Sequence, residues 1–306
     1  MKIANTYIIG LGALGAIYAA SLYDMDPKSV KIIASKKRSA AFQQQGIVIN
    51  DKHYDFTFIE PGDATQAPAD LIIVSVKHHQ LPDAINDIAA FIGSGTIIIS
   101  LLNGVSSEQM IGAAHGMDHL LYAYGVGMDA VRDGKQIVFK NKGKVVFGAH
   151  NNKVLSGPVA AVKELFEQAA IPHQIPENMY QSLWGKFMMN VGINQASAVL
   201  RAPYGVFQQN AQARQLMLLA MHEVMAISQK MEINLTQTDL DGFMHIIGTL
   251  NPAGKTSMLQ DVEAGRQTEV DIFARAVIEL GAQVGVPTPV NQTLFNIIKV
   301  IESQAG

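Results

Sequence analysis

Tyr7-Ile8-Ile9-Gly10-Leu11-Gly12-Ala13-Leu14-Gly15-Ala16-Ile17 is the stretch from which the fold of this 306-residue chain is read. A short apolar run of strand length leads into three glycines, and a run of small and apolar residues with helical character leads out. In G-x-G-x-x-G the first glycine permits the tight strand-to-helix turn. The second lets the backbone approach a pyrophosphate, and the third lets helix and strand pack closely. The free N–H groups and the dipole at the helix start attract phosphate. Gly10, Leu11, Gly12, Ala13, Leu14 and Gly15 are therefore expected to hold a dinucleotide. Glycine-rich turns are common, so the weight lies in the context: strand before, helix after, at the head of an alternating pattern.

That pattern continues to about residue 150. Tyr7–Ile9, Lys31–Ala34, Leu71–Val76 and Thr96–Leu102 are β-rich and bounded by Gly, Pro or polar residues. Ala13–Leu22, Ser39–Gln45 and Leu81–Phe91 between them suit helices. Alternation of this kind implies βαβ units and a mainly parallel sheet. Ile47–Ile49 with Tyr54–Ile59, and Lys135–Phe139 with Lys144–Phe147, read as antiparallel pairs added to that sheet. After Ile171-Pro172 and Ile175-Pro176 no convincing strand follows. Helical stretches take over at Met179–Leu200, Ala211–Met231, Thr236–Ile247, Glu269–Val284 and Val290–Ser303, punctuated by Pro203, Pro252, Pro287 and Pro289. The expected fold is an α/β Rossmann-type N-terminal domain with a parallel sheet, followed by an all-α C-terminal domain. The expected division is 1–174 for the dinucleotide-binding domain and 175–306 for the helical domain.

Bulk composition narrows the function. With 48% hydrophobic and 16% charged residues the chain belongs to globular proteins. A net charge of −3 offers no basic field to attract nucleic acid. The absence of cysteine excludes disulfides, thiolate metal sites and thiol catalysis, and fits a reducing cytoplasm. The longest apolar runs fall far short of the ~20 residues that span a bilayer. The N-terminus lacks the charged and apolar regions of a secretory signal. A cytoplasmic protein without membrane partners is expected.

An NAD site usually carries Asp or Glu about 20 residues past the glycine turn, on the ribose hydroxyl. Here neither residue occurs between Pro27 and Asn50, and the second strand is followed by Ser35-Lys36-Lys37-Arg38. Three cations and a hydroxyl suit a 2′-phosphate, which a carboxylate would repel. Ser35, Lys36 and Arg38 are taken as cofactor contacts, and NADPH as the cofactor, over the alternative of a solvated basic helix start. Ligands of open parallel sheets bind at the carboxyl ends of strands. Lys77 and Asn103 lie there, and the Asn103 carboxamide can bond to both cofactor and substrate, although Asn-Gly is also a common turn. His78 and His79 point in different directions and find no completing ligand, so no metal is expected.

In the second half, Lys186, Asn190 and Asn194 recur every four residues within Ser182–Ser197, with Ser197 close to the same helix face. Leu183, Trp184, Phe187, Met188, Val191 and Ile193 surround them, so much of the helix is buried. A lysine there needs solvent, a carboxylate or a ligand, because an unpaired buried charge is costly. An ordinary wet face would hold more Glu and Arg and fewer Asn, a poor helix former. A ligand-facing stripe follows, with Lys186 as general acid for a carbonyl reduction. A carboxylate is the natural companion, and spacing does not separate Glu269 from Glu263, Asp261 or Asp271. Ser257 is a candidate contact for a substrate carboxylate.

Taken together, these elements resemble the ketopantoate reductases (2-dehydropantoate 2-reductases) over nearly the whole chain. The resemblance rests on the Gly10–Gly15 turn, Val76-Lys77, Asn103-Gly104, Leu183-Trp184-Gly185-Lys186 with Asn190 and Asn194, Ser257-Met258-Leu259-Gln260-Asp261, and Thr268-Glu269-Val270-Asp271. It implies NADPH-dependent reduction of 2-dehydropantoate to pantoate, a step toward pantothenate and coenzyme A. It also implies Lys186 as general acid, Glu269 as its supporting glutamate, Asn190 and Asn194 on substrate hydroxyls, and Ser257 on the carboxylate. Asn103 would meet cofactor and substrate, and Lys77 the cofactor. There are departures. Ser35 stands where the family often has arginine, with Arg38 three residues later. Gly254-Lys255-Thr256 lacks an asparagine that many members carry, as does Arg201-Ala202-Pro203-Tyr204-Gly205. A reductase of another branched 2-keto acid is the second reading. A non-catalytic NADPH sensor is the third, which retention of Lys186 and Glu269 disfavours. The substrate is expected between the domains, and the apolar helices at Leu216–Met225 and Val290–Ile301 allow a homodimer.

Overall fold

The computed structural model describes residues 2–134 and 136–304. They form two compact units: residues 2–102 with Ser107–Tyr180, and Asn103–Ser106 with residues 181–304.

The first unit is the α/β one. Strands β1 (Thr6–Ile9), β2 (Val30–Ile33) and β5 (Thr57–Ile59) lie on one side of an eight-stranded sheet. Strands β6 (Leu71–Val74), β7 (Ile97–Ser100), β8 (Leu120–Met128), β11 (Lys142–Gly148) and β12 (His173–Gln174) complete it in the order β12-β11-β8-β7-β6-β1-β2-β5. Thr6 pairs with both Val30 and Leu71, so β1 is central and parallel to each neighbour. Every residue of β1, β6 and β7 is buried, as expected of parallel strands covered on both faces. Alternation splits them between two cores. Ile8, Ile32, Ile73 and Ile99 face Ile17 of helix α1 (Ala13–Met25) and Val162 and Phe166 of helix α5 (Gly157–Gln168). Tyr7, Ile9, Ile72, Val74 and Ile98 face Leu81, Ile85 and Ile88 of helix α3 (Leu81–Ile88) and Ile111 of helix α4 (Ser107–His115).

Two expected strand pairings are corrected. Of Tyr54–Ile59 only Tyr54 meets Ile47–Ile49, its N–H donating to the Ile47 carbonyl at 3.0 Å. Strand β3 (Val48–Ile49) turns back through Asn50 and Asp51, both left-handed at φ 46° and 63°, into β4 (Lys52–His53). Thr57–Ile59 then joins β2 in parallel at the sheet edge. Two consecutive residues of positive φ make the tight turn whose twist matches an antiparallel pair, and Asn and Asp tolerate it best after glycine. Likewise β11 pairs with β8, not with the strand before it. The expected strand Lys135–Phe139 begins on a residue outside those described. Strand β10 (Gln136–Val138) instead pairs with β9 (Val131–Asp133) and β3, in a second, four-stranded sheet of order β4-β3-β10-β9.

Glu108, in the first turn of α4, is 2% exposed. The Ser107 hydroxyl donates to its Oε2 at 2.9 Å. Burial pushes its carboxyl up to about 7, against backbone hydrogen bonds that pull it down. In the fold the proton is held more tightly than in the unfolded chain. Stability is therefore highest below the ordinary value of 4.5, falls as pH climbs to about 7, and levels above it. The total is about 3 kcal/mol. Urea denaturation of Glu108→Gln at about pH 5 and about pH 8 is expected to lose most of that difference. An unchanged pH dependence would show that Glu108 ionises freely in the fold.

In the second unit, helix α6 (Met179–Leu200) has the bounds read from the sequence. Helices α7 (Tyr204–Gln209), α8 (Ala211–Lys230), α9 (Gln237–Thr249) and α10 (Ser257–Glu263) follow, then α11 (Ala274–Val284) and α12 (Pro289–Gln304). Side-chain caps start three of them: Asn210 accepts from the Ala213 N–H, Thr236 shares a capping box with Asp239, and Thr256 accepts from the Leu259 N–H. Glu223 of α8 accepts the first N–H groups of α12 from Val290 and Asn291, at 2.8 and 3.0 Å. No helix among the described residues is long and apolar enough to cross a membrane.

Candidate active site

Each glycine of the turn meets a different constraint. Gly10 has φ +97°, and a Cβ there would fall inside the Ser75 carbonyl. A Cβ on Gly15 would fall on the Gly10 carbonyl oxygen. Around Gly12, the N-cap of α1, nothing lies within 4 Å of a Cβ. The turn is thus packed from behind at Gly10 and Gly15 and open at Gly12, where the uncapped start of α1 presents its N–H groups. These are the requirements of a bound pyrophosphate.

Helix α2 (Lys36–Gln45) begins after β2, with Ser35 as an N-cap whose side chain makes no cap bond. Its first turn holds Lys36, Lys37 and Arg38 and no acid. Cations at a helix N-terminus oppose its dipole, so an anion there would relieve both. Ser35, Lys36, Lys37 and Arg38 are all exposed and make no ion pair among the described residues. The structure adds a residue that sequence reading missed. Arg132 of β9 donates from Nη1 to the Leu11 carbonyl in the glycine turn at 2.6 Å. Its only local signal is the hairpin dipeptide Asp133-Gly134 beside it. Lys77, three residues beyond β6, is exposed and precedes a 3-10 turn over His78–Gln80. Among the described residues no group of three or more His, Asp or Glu side chains could hold a metal ion.

In the second unit, Asn190 Nδ2 donates to Asn103 Oδ1 at 3.3 Å, and Asn103 Nδ2 donates to Glu269 Oε2 at 2.9 Å. Three residues far apart in sequence thus form one line. The competing carboxylates are engaged elsewhere: Asp261 with Arg266, Glu263 with Lys255, and Asp271 with Arg275. Glu269 is set from both sides. The Thr268 N–H and hydroxyl both donate to Glu302 Oε1, at 2.8 and 2.7 Å, and Lys299 holds the other Glu302 oxygen at 2.6 Å.

The helix expected over Glu269–Val284 is corrected. Glu269 instead caps a 3-10 turn, Val270–Ile272, and α11 begins only at Ala274. The Thr268 hydroxyl takes the Val270 N–H, and burial of both Val270 and Ile272 favours the tighter turn.

Lys186 lies one turn before Asn190 on α6. It makes no hydrogen bond or ion pair among the described residues, and desolvation lowers its ammonium to about 8. Asn194, 6% exposed, makes no side-chain hydrogen bond among the described residues either. Ser197 is committed to structure, donating to the Ala202 carbonyl at 2.6 Å, and leaves the stripe. Ser257 is exposed at the start of α10, while its neighbour Thr256 does the capping. The arrangement offers a desolvated proton donor, unspent amide groups and a carboxylate, the parts of an acid-assisted carbonyl reduction.

Comparison with known proteins follows the same division. The family model "Ketopantoate reductase PanE/ApbA" matches residues 6–152, and its C-terminal companion matches residues 178–302. A 2-dehydropantoate 2-reductase of Pyrococcus horikoshii is 26% identical over 307 residues, covering 98% of each chain. Among solved structures, a PanE/ApbA family ketopantoate reductase from Ralstonia eutropha superposes with a TM-score of 0.82 at 22% identity, covering 98% of this chain and 99% of that one. A D-mandelate dehydrogenase in complex with NADH gives 0.86 at 20% identity, covering 99% and 100%. The two structures carry the likeness of fold.

Proposed function

The chain belongs to the ketopantoate reductase family, and from that premise we propose that it reduces 2-dehydropantoate to pantoate with NADPH, a step toward pantothenate and coenzyme A. The observation that carries the reading is Lys186: a desolvated ammonium without a carboxylate partner, on the helix face that continues into Asn190 and Asn194. The Gly10–Gly15 turn with Ser35, Lys36, Arg38 and Lys77 would hold the cofactor, which when bound would supply a hydride for the ketone carbon. As the carbonyl π bond breaks, Lys186 Nζ gives its proton to the oxygen and completes the hydroxyl. Before transfer, the positive charge of Lys186 stabilises the negative charge growing on that oxygen. Glu269 would support Lys186 and the substrate, held in orientation by the hydrogen bond from Asn103, which itself accepts from Asn190. Asn194 and Asn190 take the substrate hydroxyl, and the exposed Ser257 meets its carboxylate.

The second reading, a reductase of another branched 2-keto acid, rests on Gly254-Lys255-Thr256 and on the asparagine missing from Arg201–Gly205. NADPH oxidation followed in parallel with ketopantoate, 2-ketoisovalerate and pyruvate tests both. Ketopantoate is expected to give the highest kcat/KM, because a site built to bond a hydroxyl rejects an analogue that lacks it. A preference for 2-ketoisovalerate would select the second reading. No turnover on any of the three would overturn the catalytic role of Lys186. A homodimer is proposed as well, to be read from the mass in solution.

A further inference from the structure

Among the described residues no carboxylate pairs with Arg132. Its Nε donates to the Gly134 carbonyl at 3.0 Å and Nη1 to the Leu11 carbonyl at 2.6 Å. Its guanidinium lies over the Phe42 ring, 5.4 Å from the centroid, and Phe42 in turn stacks on Phe58 at 5.7 Å. Both bonds go to neutral carbonyls, which leaves Nη2 and one Nη1 hydrogen unspent among the described residues. Arg38 sits four residues before Phe42 on α2, on the same helix face. Partial desolvation lowers the Arg132 pKa, and the charge of Arg38 lowers it further. The carboxylate of Asp87 also feels Arg38 but forms no ion pair with it. Two arginines that feel each other's charge, neither in an ion pair among the described residues, repel unless an anion joins them. The uncapped, acid-free start of α2 adds to the same unmet positive field.

We propose that Arg132 and Arg38 form a two-arginine clamp for the adenosine 2′-phosphate, and that Arg132 is a determinant of the preference for NADPH over NADH. The proposal rests on the NADPH reading above. The planar fork of Arg132 bonds a phosphate in bidentate fashion from the side opposite Arg38. The Leu11 carbonyl and the Phe42 ring hold that fork in place before the ligand arrives. The clamp thereby moves part of the cofactor specificity off the second strand, where the family often has its arginine and this chain has Ser35, onto the hairpin of the second sheet.

Titration calorimetry on the full chain separates the outcomes, using NADPH, NADH, 2′,5′-ADP and 5′-ADP. In Arg132→Met the affinities for NADPH and 2′,5′-ADP are expected to fall about tenfold or more, the loss of a charge-assisted pair. Those for NADH and 5′-ADP are expected to hold within about twofold, which also reports that the variant is folded. Arg132→Lys keeps the charge without the fork and is expected to fall between; if the Met variant does not fold, it is read the same way. A wild type that prefers NADPH and passes that preference undiminished to both variants overturns the clamp alone. Equal losses for all four ligands overturn it too, by assigning Arg132 to the architecture of the turn. A wild type that binds NADPH and NADH alike overturns the NADPH reading and the clamp with it.

Discussion

Lys186→Ala is expected to lower kcat for keto-acid reduction about a thousandfold while leaving the dissociation constant of NADPH unchanged. The size follows from what is removed: both the proton donor and the positive charge beside the growing oxyanion. The selectivity follows from geometry, since no bond of the Asn190–Asn103–Glu269 line runs through Lys186 and the glycine turn owes nothing to it. Stability gives an independent sign. A desolvated ammonium without a partner is a cost to the fold, so Lys186→Met, which keeps most of the volume, is expected to melt at a higher temperature than the wild type. A lysine kept for architecture would do the reverse. The pH profile adds a third readout. A general acid must be protonated, so the wild-type reduction rate should be level below about 8 and fall about tenfold per unit above it. Loss of activity with a lower melting temperature, or a rate level through pH 10, would remove Lys186 from proton transfer.

The parallel core was legible because its strands are buried on both faces and read as unbroken apolar runs between turn residues. Helix α6 was legible for a related reason: apolar residues around a polar stripe of period four leave few alternatives. Strand β8 was not found at all. Leu120–Met128 contains two glycines and is only partly buried beyond Ala123, so it shows neither clean alternation nor an apolar run. The first pairing was not legible because Asn50-Asp51, without a glycine, makes the turn between β3 and β4, while Thr57–Ile59 joins the main sheet beside β2. At the site, motif order drew attention to Glu269, but only the fold separates it from Asp261, Glu263 and Asp271, by giving those three to Arg266, Lys255 and Arg275. Arg132 had no comparable signal. Its contact with Leu11 spans 121 residues and depends on a small sheet whose central pairing is itself long-range.

Alanine in place of each turn glycine is expected to divide the motif into two kinds of residue. Gly10→Ala forces a side chain into a left-handed backbone at φ +97° and into the Ser75 carbonyl. Gly15→Ala gains about 1 kcal/mol of helix propensity but drives its methyl onto the Gly10 carbonyl oxygen, which the turn cannot move without unseating β1 from α1. Each is expected to cost about 1–3 kcal/mol or more of stability and to lose the dinucleotide as a consequence. Gly12→Ala should behave in the opposite way. Its backbone, at φ −78° and ψ −170°, suits any residue, and no atom lies within 4 Å of the new methyl. That variant should fold as well as the wild type, or slightly better through a stiffer unfolded chain. Its affinity for NADPH should nonetheless fall at least about tenfold, because the methyl takes the space through which the pyrophosphate reaches the N–H groups of α1. Thermal melts alongside cofactor titrations would read both effects. A Gly12→Ala variant that keeps full affinity would mean that the open side of the turn is not where the phosphates lie, and the geometric case for a dinucleotide there would fall with it.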